Sequence, residues 1–184
     1  MLDNLINNYY FSNFIYSLLF ILVAISINEF MYKRKIYINE KIKFKGIKIK
    51  FLIRMLCLSI FIKIGMEQLQ LYFNIEMTND TFDITVLSLI IYFIVRCIVA
   101  PITEEIIFRF GIFEFLNIKL NYSVAILITS FIFSFGHGYL LLDSFTLLII
   151  SIVWNYSYYK TNNLLYPIFL HFIFNLLSFI SFIT

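Results

Sequence analysis

The sequence predicts an all-α protein, a polytopic transmembrane helical bundle of about six spans. Of the 184 residues, 61% are hydrophobic and only 14% are charged, whereas a soluble domain is about 45–50% apolar and about 25% charged. The apolar residues form continuous runs without polar alternation, which favours helices over a β-barrel in lipid. A nucleic-acid-binding protein is excluded, because the net charge of +3 is not carried by an extended basic domain.

Six apolar runs approach the roughly 20 residues that an α-helix needs to cross a bilayer. They cover residues 10–32, 51–74, 84–117, 121–138, 143–160 and 163–183. The third run is too long for one upright helix and contains Pro101. We therefore expect a tilted or kinked span whose second half begins near that proline.

The charge pattern predicts the orientation of the bundle. Eight basic residues and a single acid lie within residues 33–50, which we call the basic loop, and loops rich in Lys and Arg remain in the cytoplasm. The following loop, at residues 67–83, contains four acids and neither Lys nor Arg. Later loops continue the alternation with Lys119, Asp143 and Lys160. We therefore expect the basic loop inside the cell and both termini outside.

Charged side chains inside a bilayer cost about 2.5–3.5 kcal/mol each on insertion scales, so each requires a partner or a function. Lys63 and Glu67 are spaced i, i+4 and are expected to pair on one helix face. Cys57 and Cys97 lie inside apolar runs and match no zinc or redox spacing, so we interpret both as packing residues.

The segment T-E-E-I-I-F-R at residues 103–109 is the most informative charged cluster. Adjacent residues project about 100° apart on a helix, so the two glutamates should occupy different environments. Glu105 and Arg109 are spaced i, i+4 in the favourable order and are expected to pair. Glu104 then lacks this partner, which makes it a candidate general base in a low-dielectric cavity. The alternative is a pair of structural glutamates near a helix end.

Each of the two histidines lies four residues from a second side chain of interest, a phenylalanine for one and an asparagine for the other. His137 follows Phe133 in F-S-F-G-H, and His171 precedes Asn175 in H-F-I-F-N on what should be one helix face. Taken singly, each histidine could equally be a satisfied polar core residue. Together with Glu104, they provide one carboxylate, two imidazoles and an amide on three spans. Hydrolytic active sites use side chains of these types, and we expect these four to face one polar cavity inside the membrane.

The motifs E-E-x-x-x-R, F-x-x-x-H and H-x-x-x-N, at residues 104–109, 133–137 and 171–175, occur in the order and rough spacing of one known family. Over residues 85–183 the chain resembles the CPBP intramembrane proteases, which include the type II CAAX prenyl proteases and the bacteriocin-processing or self-immunity enzymes. One departure is that Phe110 stands between the motif arginine and Gly111, where Gly commonly follows directly. We divide the chain into N-terminal spans with the basic loop (residues 1–83) and a CPBP-like catalytic core (residues 84–184).

The resemblance implies an intramembrane endopeptidase that cleaves a membrane-associated peptide or protein. In the family's pattern, Glu104 and His137 activate the attacking water, while His171 and Asn175 stabilise the oxyanion of the tetrahedral intermediate. The supporting residues are Glu105, Arg109 and Phe133.

No cofactor is required in this interpretation. The alternative is a zinc ion held by His137, His171 and Glu104, a chemically sensible set, although no H-E-x-x-H helix is present. The expected location is the plasma membrane of a bacterium. The expected partners are the lipid bilayer and a peptide or membrane-protein substrate, with no nucleic acid.

Two other functions fit parts of the sequence. A non-catalytic bacteriocin-immunity or regulatory membrane protein would act by binding alone, and the loss of Glu104 or of either histidine would mark that class; none of the three is lost. A small transporter could use Glu and His as a proton relay, but the six spans show no internal repeat.

Overall fold

The computed structural model describes residues 2–75 and 86–183. Within these ranges the chain forms six helical stretches and no strand, which confirms the all-α membrane bundle. The first two stretches are α1 (Leu2–Lys33) and α2 (Ile49–Tyr72), with a short 3-10 turn (Ile38–Lys41) in the basic loop between them. The last three are α6 (Tyr122–Phe135), α7 (Leu141–Thr161) and α8 (Leu165–Ile183).

The third stretch is one continuous helix at residues 86–119 whose winding changes along its length. Its segments are α3 (Val86–Tyr92), a first π-helical segment (Phe93–Val99), α4 (Ala100–Glu105), a second π-helical segment (Ile106–Phe113) and α5 (Glu114–Lys119). Pro101 lies in the first turn of α4, so the helix continues past the proline and changes type there. Short π-helical insertions are rare and often mark functional sites.

The helices bear out the membrane character of the chain. Two of them, over Ile15–Lys33 and Leu141–Thr161, are long and apolar enough to cross a bilayer, and Tyr122–Phe135 and Leu165–Ser181 are shorter apolar helices. On α1, apolar side chains such as Leu18, Leu22 and Ile25 are exposed. The interior contains polar side chains beside buried apolar ones. Buried polar examples are Glu105, Arg109, Ser130, Ser151 and Asn155. An apolar outer surface around an interior that includes polar groups is the pattern expected in lipid.

One predicted boundary is wrong at the end of α6. The apolar run extends to residue 138, but the helix ends at Phe135 and His137 lies in the turn that follows. A Cβ on Gly136 would lie 2.8 Å from the Ile132 carbonyl oxygen, and Gly138 has φ of +69°. The two glycines permit a tight turn that other residues would strain. His137 therefore stands at the end of its helix, not on its face.

The basic loop packs against one end of the bundle. Lys41 Nζ donates to Glu114 at the start of α5 and, at 2.6 Å, to Asn162 Oδ1 after α7. The Leu164 N–H donates to the Lys41 carbonyl at 2.6 Å. We call this the basic-loop end, and the opposite end, where α2, α6 and α8 finish and α3 and α7 begin, the far end. The Lys119 and Lys160 ends of their helices therefore share one side with the basic loop, as the charge pattern predicts.

Part of the predicted organisation falls on residues 76–85, outside the described residues. This applies to residues 76–83 of the predicted acidic loop (residues 67–83) and to the predicted boundary between residues 83 and 84. That boundary remains a prediction.

In a Cys57→Ala, Cys97→Ala background, we expect Lys45→Cys and Lys160→Cys to react with a membrane-impermeant maleimide in inverted vesicles and not in intact spheroplasts. The reason is the shared end seen above together with the cytoplasmic retention of basic loops. Asn79→Cys should show the opposite pattern. Reaction of Lys45→Cys and Lys160→Cys from opposite sides would contradict the arrangement of helices.

Candidate active site

The predicted site residues from three parts of the chain line one cavity of about 460 Å³. Glu104 comes from α4, His137 from the turn after α6, and His171 and Asn175 from α8. Along the third stretch the cavity-lining positions 92, 96, 100 and 104 are four residues apart, so they form one face of that helix. The i, i+4 spacing of His171 and Asn175 likewise places both on the cavity face of α8.

Glu104 faces both histidines. Its Oε2 atom lies 3.6 Å from His137 Nε2 and 3.9 Å from His171 Nε2. Oε2 is buried and has no hydrogen-bond partner among the described residues, although the side chain as a whole keeps 14% of its surface exposed. Both distances are longer than a hydrogen bond. Glu104 is thus the carboxylate whose free oxygen faces the cavity, while its neighbour is engaged elsewhere.

Glu105 forms a fully buried cluster with Arg109 and His171. Arg109 Nε lies 2.9 Å from Glu105 Oε2 with both side chains at 0% exposure, in an ion pair whose N–H direction is not aligned for a hydrogen bond. The other carboxylate oxygen, Oε1, lies 2.9 Å from His171 Nδ1. The expected Glu105–Arg109 pair is therefore present, and it extends to a histidine on another helix. The two adjacent glutamates do occupy different environments, as their 100° separation predicts.

Hydrogen bonds indicate which nitrogen of each histidine carries a proton. His137 Nδ1 lies 2.6 Å from the Phe133 carbonyl oxygen; a carbonyl only accepts, so Nδ1 must be the donor. His171 Nδ1 donates in the same way to the Glu105 carboxylate. Nε2 of each ring faces Glu104 and is unprotonated when the imidazole is neutral. These tautomers are inferred from the partners.

Asn175 contacts the backbone of the third stretch at its irregular point. Its Nδ2 donates to the Arg96 carbonyl at 2.7 Å. In the π-helical register the N–H of Ala100 bonds to the carbonyl of Val95, five residues earlier, so the next donor, residue 101, would serve Arg96. That residue is proline and has no N–H. Asn175 thus supplies the hydrogen bond that Pro101 leaves unmade and retains a second N–H.

Aromatic rings frame the two histidines and the arginine. Phe133 is fully buried; its ring centroid lies 4.7 Å from that of His137 and 5.9 Å from that of His171, both edge to face. The Arg109 guanidinium lies 4.5 Å from the same ring centroid. On the other side of His171, the Trp154 ring lies 4.8 Å away at an interplanar angle of 31°. Packing on several sides restricts each imidazole to one orientation.

Sequence reasoning missed the contribution of α7. Ser151 Oγ accepts a 3.0 Å hydrogen bond from Arg109 Nη2, and Trp154 Nε1 donates at 3.2 Å to Ser59 Oγ on α2. A signal was present: Trp154 is the chain's sole tryptophan, and Ser151 and Asn155 are polar positions one helical turn apart in an apolar run.

The side chains around Glu104 are of the types that bind zinc in the alternative function. Two Nε2 atoms and a carboxylate oxygen are suitable zinc ligands, and a histidine held through Nδ1 by a carboxylate is a common arrangement behind such ligands. Across residues 2–75 and 86–183, however, no group of three or more His, Cys, Asp or Glu side chains converges as a metal site. In the zinc alternative, His137, His171 and Glu104 would hold the ion.

A comparison with protein family models identifies the family in which this set of residues occurs. The family model described as Type II CAAX prenyl endopeptidase Rce1-like matches residues 86–177, which contain all four cavity residues named above. No curated protein and no solved structure matches the chain. The match spans half of the chain, and the chain belongs to the Rce1-like family of type II CAAX prenyl endopeptidases.

Proposed function

We propose that the protein is an intramembrane endopeptidase in which Glu104 and His137 activate a water molecule to hydrolyse a peptide bond. Family membership supports an endopeptidase in general. The observation that carries the finer proposal is the free Oε2 of Glu104, between two Nε2 atoms in a polar cavity. We place the enzyme in the plasma membrane of a bacterium, where its substrate is a membrane-associated peptide or protein.

The first step is proton transfer from the water to Glu104. A water in the cavity beside both Oε2 and His137 Nε2, which are 3.6 Å apart, donates one hydrogen to each. Glu104 takes the proton as the water oxygen attacks the carbonyl carbon of the scissile bond, and the carbonyl electrons move to its oxygen. When the tetrahedral intermediate collapses, the C–N bond breaks and Glu104 returns the proton to the leaving amine. This is general acid–base catalysis with one carboxylate in both roles.

The second requirement is stabilisation of the oxyanion, which we assign to His171 and Asn175. His171 Nδ1 is occupied by Glu105, so its Nε2 can donate only if the imidazole carries both protons. The assignment therefore requires the imidazolium form of His171, which lies beside the carboxylates of Glu104 and Glu105. Asn175 has one amide N–H left after its bond to Arg96. These two donors are suited to a developing negative charge.

The supporting residues position the donors and do not touch the reacting atoms. Glu105 holds His171, and Arg109 holds Glu105 while bonding to Ser151 on α7. Phe133 contributes the carbonyl that sets the tautomer of His137. The active atoms are therefore held through contacts among the third stretch, α6, α7 and α8.

Glu104→Gln should lower kcat by about 10²–10⁴-fold, because the amide cannot accept the proton of the water. Helicity in detergent and the thermal unfolding temperature should stay near the wild-type values, since Oε2 makes no hydrogen bond to the described residues. Cleavage of a fluorogenic peptide pool by purified protein measures the effect. Near-normal activity would remove Glu104 from the proposed mechanism.

Arg109→Ala and Glu105→Ala should each destabilise the fold by about 3–5 kcal/mol, because each leaves the other's buried charge unpaired. The midpoint of thermal unfolding, followed by circular dichroism in detergent, should fall in both variants and stay near wild type in the matched control Glu104→Ala. The double variant should be less destabilised than the sum of the two singles. Simple additivity would show that the pair is not coupled.

Activity should survive exhaustive chelation, and metal analysis should find well below one zinc per chain. His171→Ala should then raise the activation barrier by about 2.7–4 kcal/mol, the cost of removing an oxyanion donor, with little change in substrate affinity. A zinc content of one per chain that is lost together with activity in His171→Ala would establish the zinc alternative. Asn175 would then be reassigned to orienting the ligand.

A further inference from the structure

Among the described residues, the lining of the cavity extends from Glu104 in one direction. On α8 its lining continues from His171 through Asn175 and Ser178 to Ser181, about 15 Å of helix towards the far end. On α7 the lining continues from Trp154 back to Asp143, near the start of that helix. On α2 it consists of Lys63, Glu67 and Gln70, near the end of that helix. Each of these three helices therefore lines the cavity with the part of its length that lies towards the far end.

The far part of the cavity is polar and reaches exposed side chains. Lys63 and Glu67 form the expected i, i+4 pair at 3.7 Å, with 28% and 41% of their side chains exposed. Gln70 Nε2 donates to Asp143 Oδ1 at 2.6 Å, and Ser181 is exposed. Charged and polar groups continue from the catalytic residues to this end, which is the composition of a water-accessible path.

The opposite direction is closed by apolar packing. A buried cluster fills the bundle between the catalytic residues and the basic-loop end; its members are Met31, Phe110, Phe113, Ala125, Ile126, Tyr158 and Leu164. Ile36, Ile38 and Ile42 of the basic loop pack against this cluster and cover it. A second cavity, of about 430 Å³, lies near this end, but apolar side chains dominate its lining and it contains none of the four catalytic residues.

The charge pattern relates these two ends to the two sides of the membrane. The basic loop carries eight Lys and Arg residues and a single acid, a composition that holds a loop in the cytoplasm. The sealed end of the bundle is therefore the cytoplasmic end. The end to which the cavity opens faces the other side of the membrane.

We propose that the active site is reached from the non-cytoplasmic side, so that the substrates are peptides or protein segments whose cleavable bond is presented there. That the occupant of the cavity is a substrate rests on the proposed function. The side of access rests on the cavity and the basic loop alone. Paired charges at the rim, Lys63 with Glu67 and the neighbouring Asp143, suit extended polar peptide segments. A purely apolar chain would leave these groups without water.

The side of access is tested by labelling a cysteine inside the cavity. In the Cys57→Ala, Cys97→Ala background, Ser178→Cys lies on the cavity wall beside Lys63, whose Nζ is 3.1 Å from the Ser178 hydroxyl. A membrane-impermeant maleimide should label Ser178→Cys in intact spheroplasts and fail to label it in inverted vesicles. Lys45→Cys, in the basic loop, is the matched control and should show the reverse pattern. Denatured samples of both variants should label fully.

Labelling of Ser178→Cys only in inverted vesicles, or from neither side, would overturn the inference. This readout needs no catalysis, so it is independent of the proposed function. A second measurement adds a fluorogenic peptide pool, which the detergent-purified protein cleaves, to spheroplasts and to inverted vesicles, with Glu104→Gln as background. Cleavage should occur in spheroplasts alone. Cleavage in inverted vesicles alone would overturn the side of access and leave the protease intact, whereas purified protein without any cleavage would contradict the proposed function only.

Discussion

The buried contact among Glu105, Arg109 and His171 is the constraint on which the rest of the site depends. A carboxylate and a guanidinium without solvent are stable only when each retains its partner, so the rotation of the third stretch about its axis is fixed by this pair. With Glu105 turned into the bundle, its neighbour Glu104 must face about 100° away, towards the cavity. His171 joins the same carboxylate from α8. One buried cluster thereby sets the positions of two catalytic candidates.

The π-helical segments explain how the third stretch both lines the cavity and contacts Asn175 of α8. The wide turns before α4 lie among the cavity-lining positions 92, 96, 100 and 104, while Pro101 removes a backbone donor inside this stretch. The Arg96 carbonyl therefore lacks this backbone donor, and it accepts a hydrogen bond from Asn175. One N–H of the asparagine completes the backbone of the third stretch, and the other is the one assigned to the oxyanion in the proposed mechanism. Under that proposal, loss of Asn175 would disturb the position of Glu104 and also remove an oxyanion donor.

Periodicity and composition predicted most of the fold and the polar part of the site. Intramembrane charges are costly, so Glu104, Glu105 and Arg109 were conspicuous in an apolar chain, and their spacing predicted the pair that forms. The turn after α6 was missed because apolar content continues past Phe135, while the helix end depends on the local backbone at Gly136. Trp154 and Ser151 were missed for another reason. Their roles depend on which face of α7 meets His171 and Arg109, and that is decided by packing between helices distant in sequence.

Hydrolysis inside a membrane requires water on one side of the reacting bond and its exclusion on the other. The apolar cluster around Phe110 and Phe113 begins directly after Arg109 in the chain, so the same helix carries Glu104, the buried ion pair and the apolar cluster in succession. Under the proposed access from the far end, water that reaches Glu104 would stop at this cluster. The low-dielectric wall strengthens the interactions of Glu105 with Arg109 and His171. Polar access and apolar closure are therefore both consequences of how residues 96–113 are ordered along one helix.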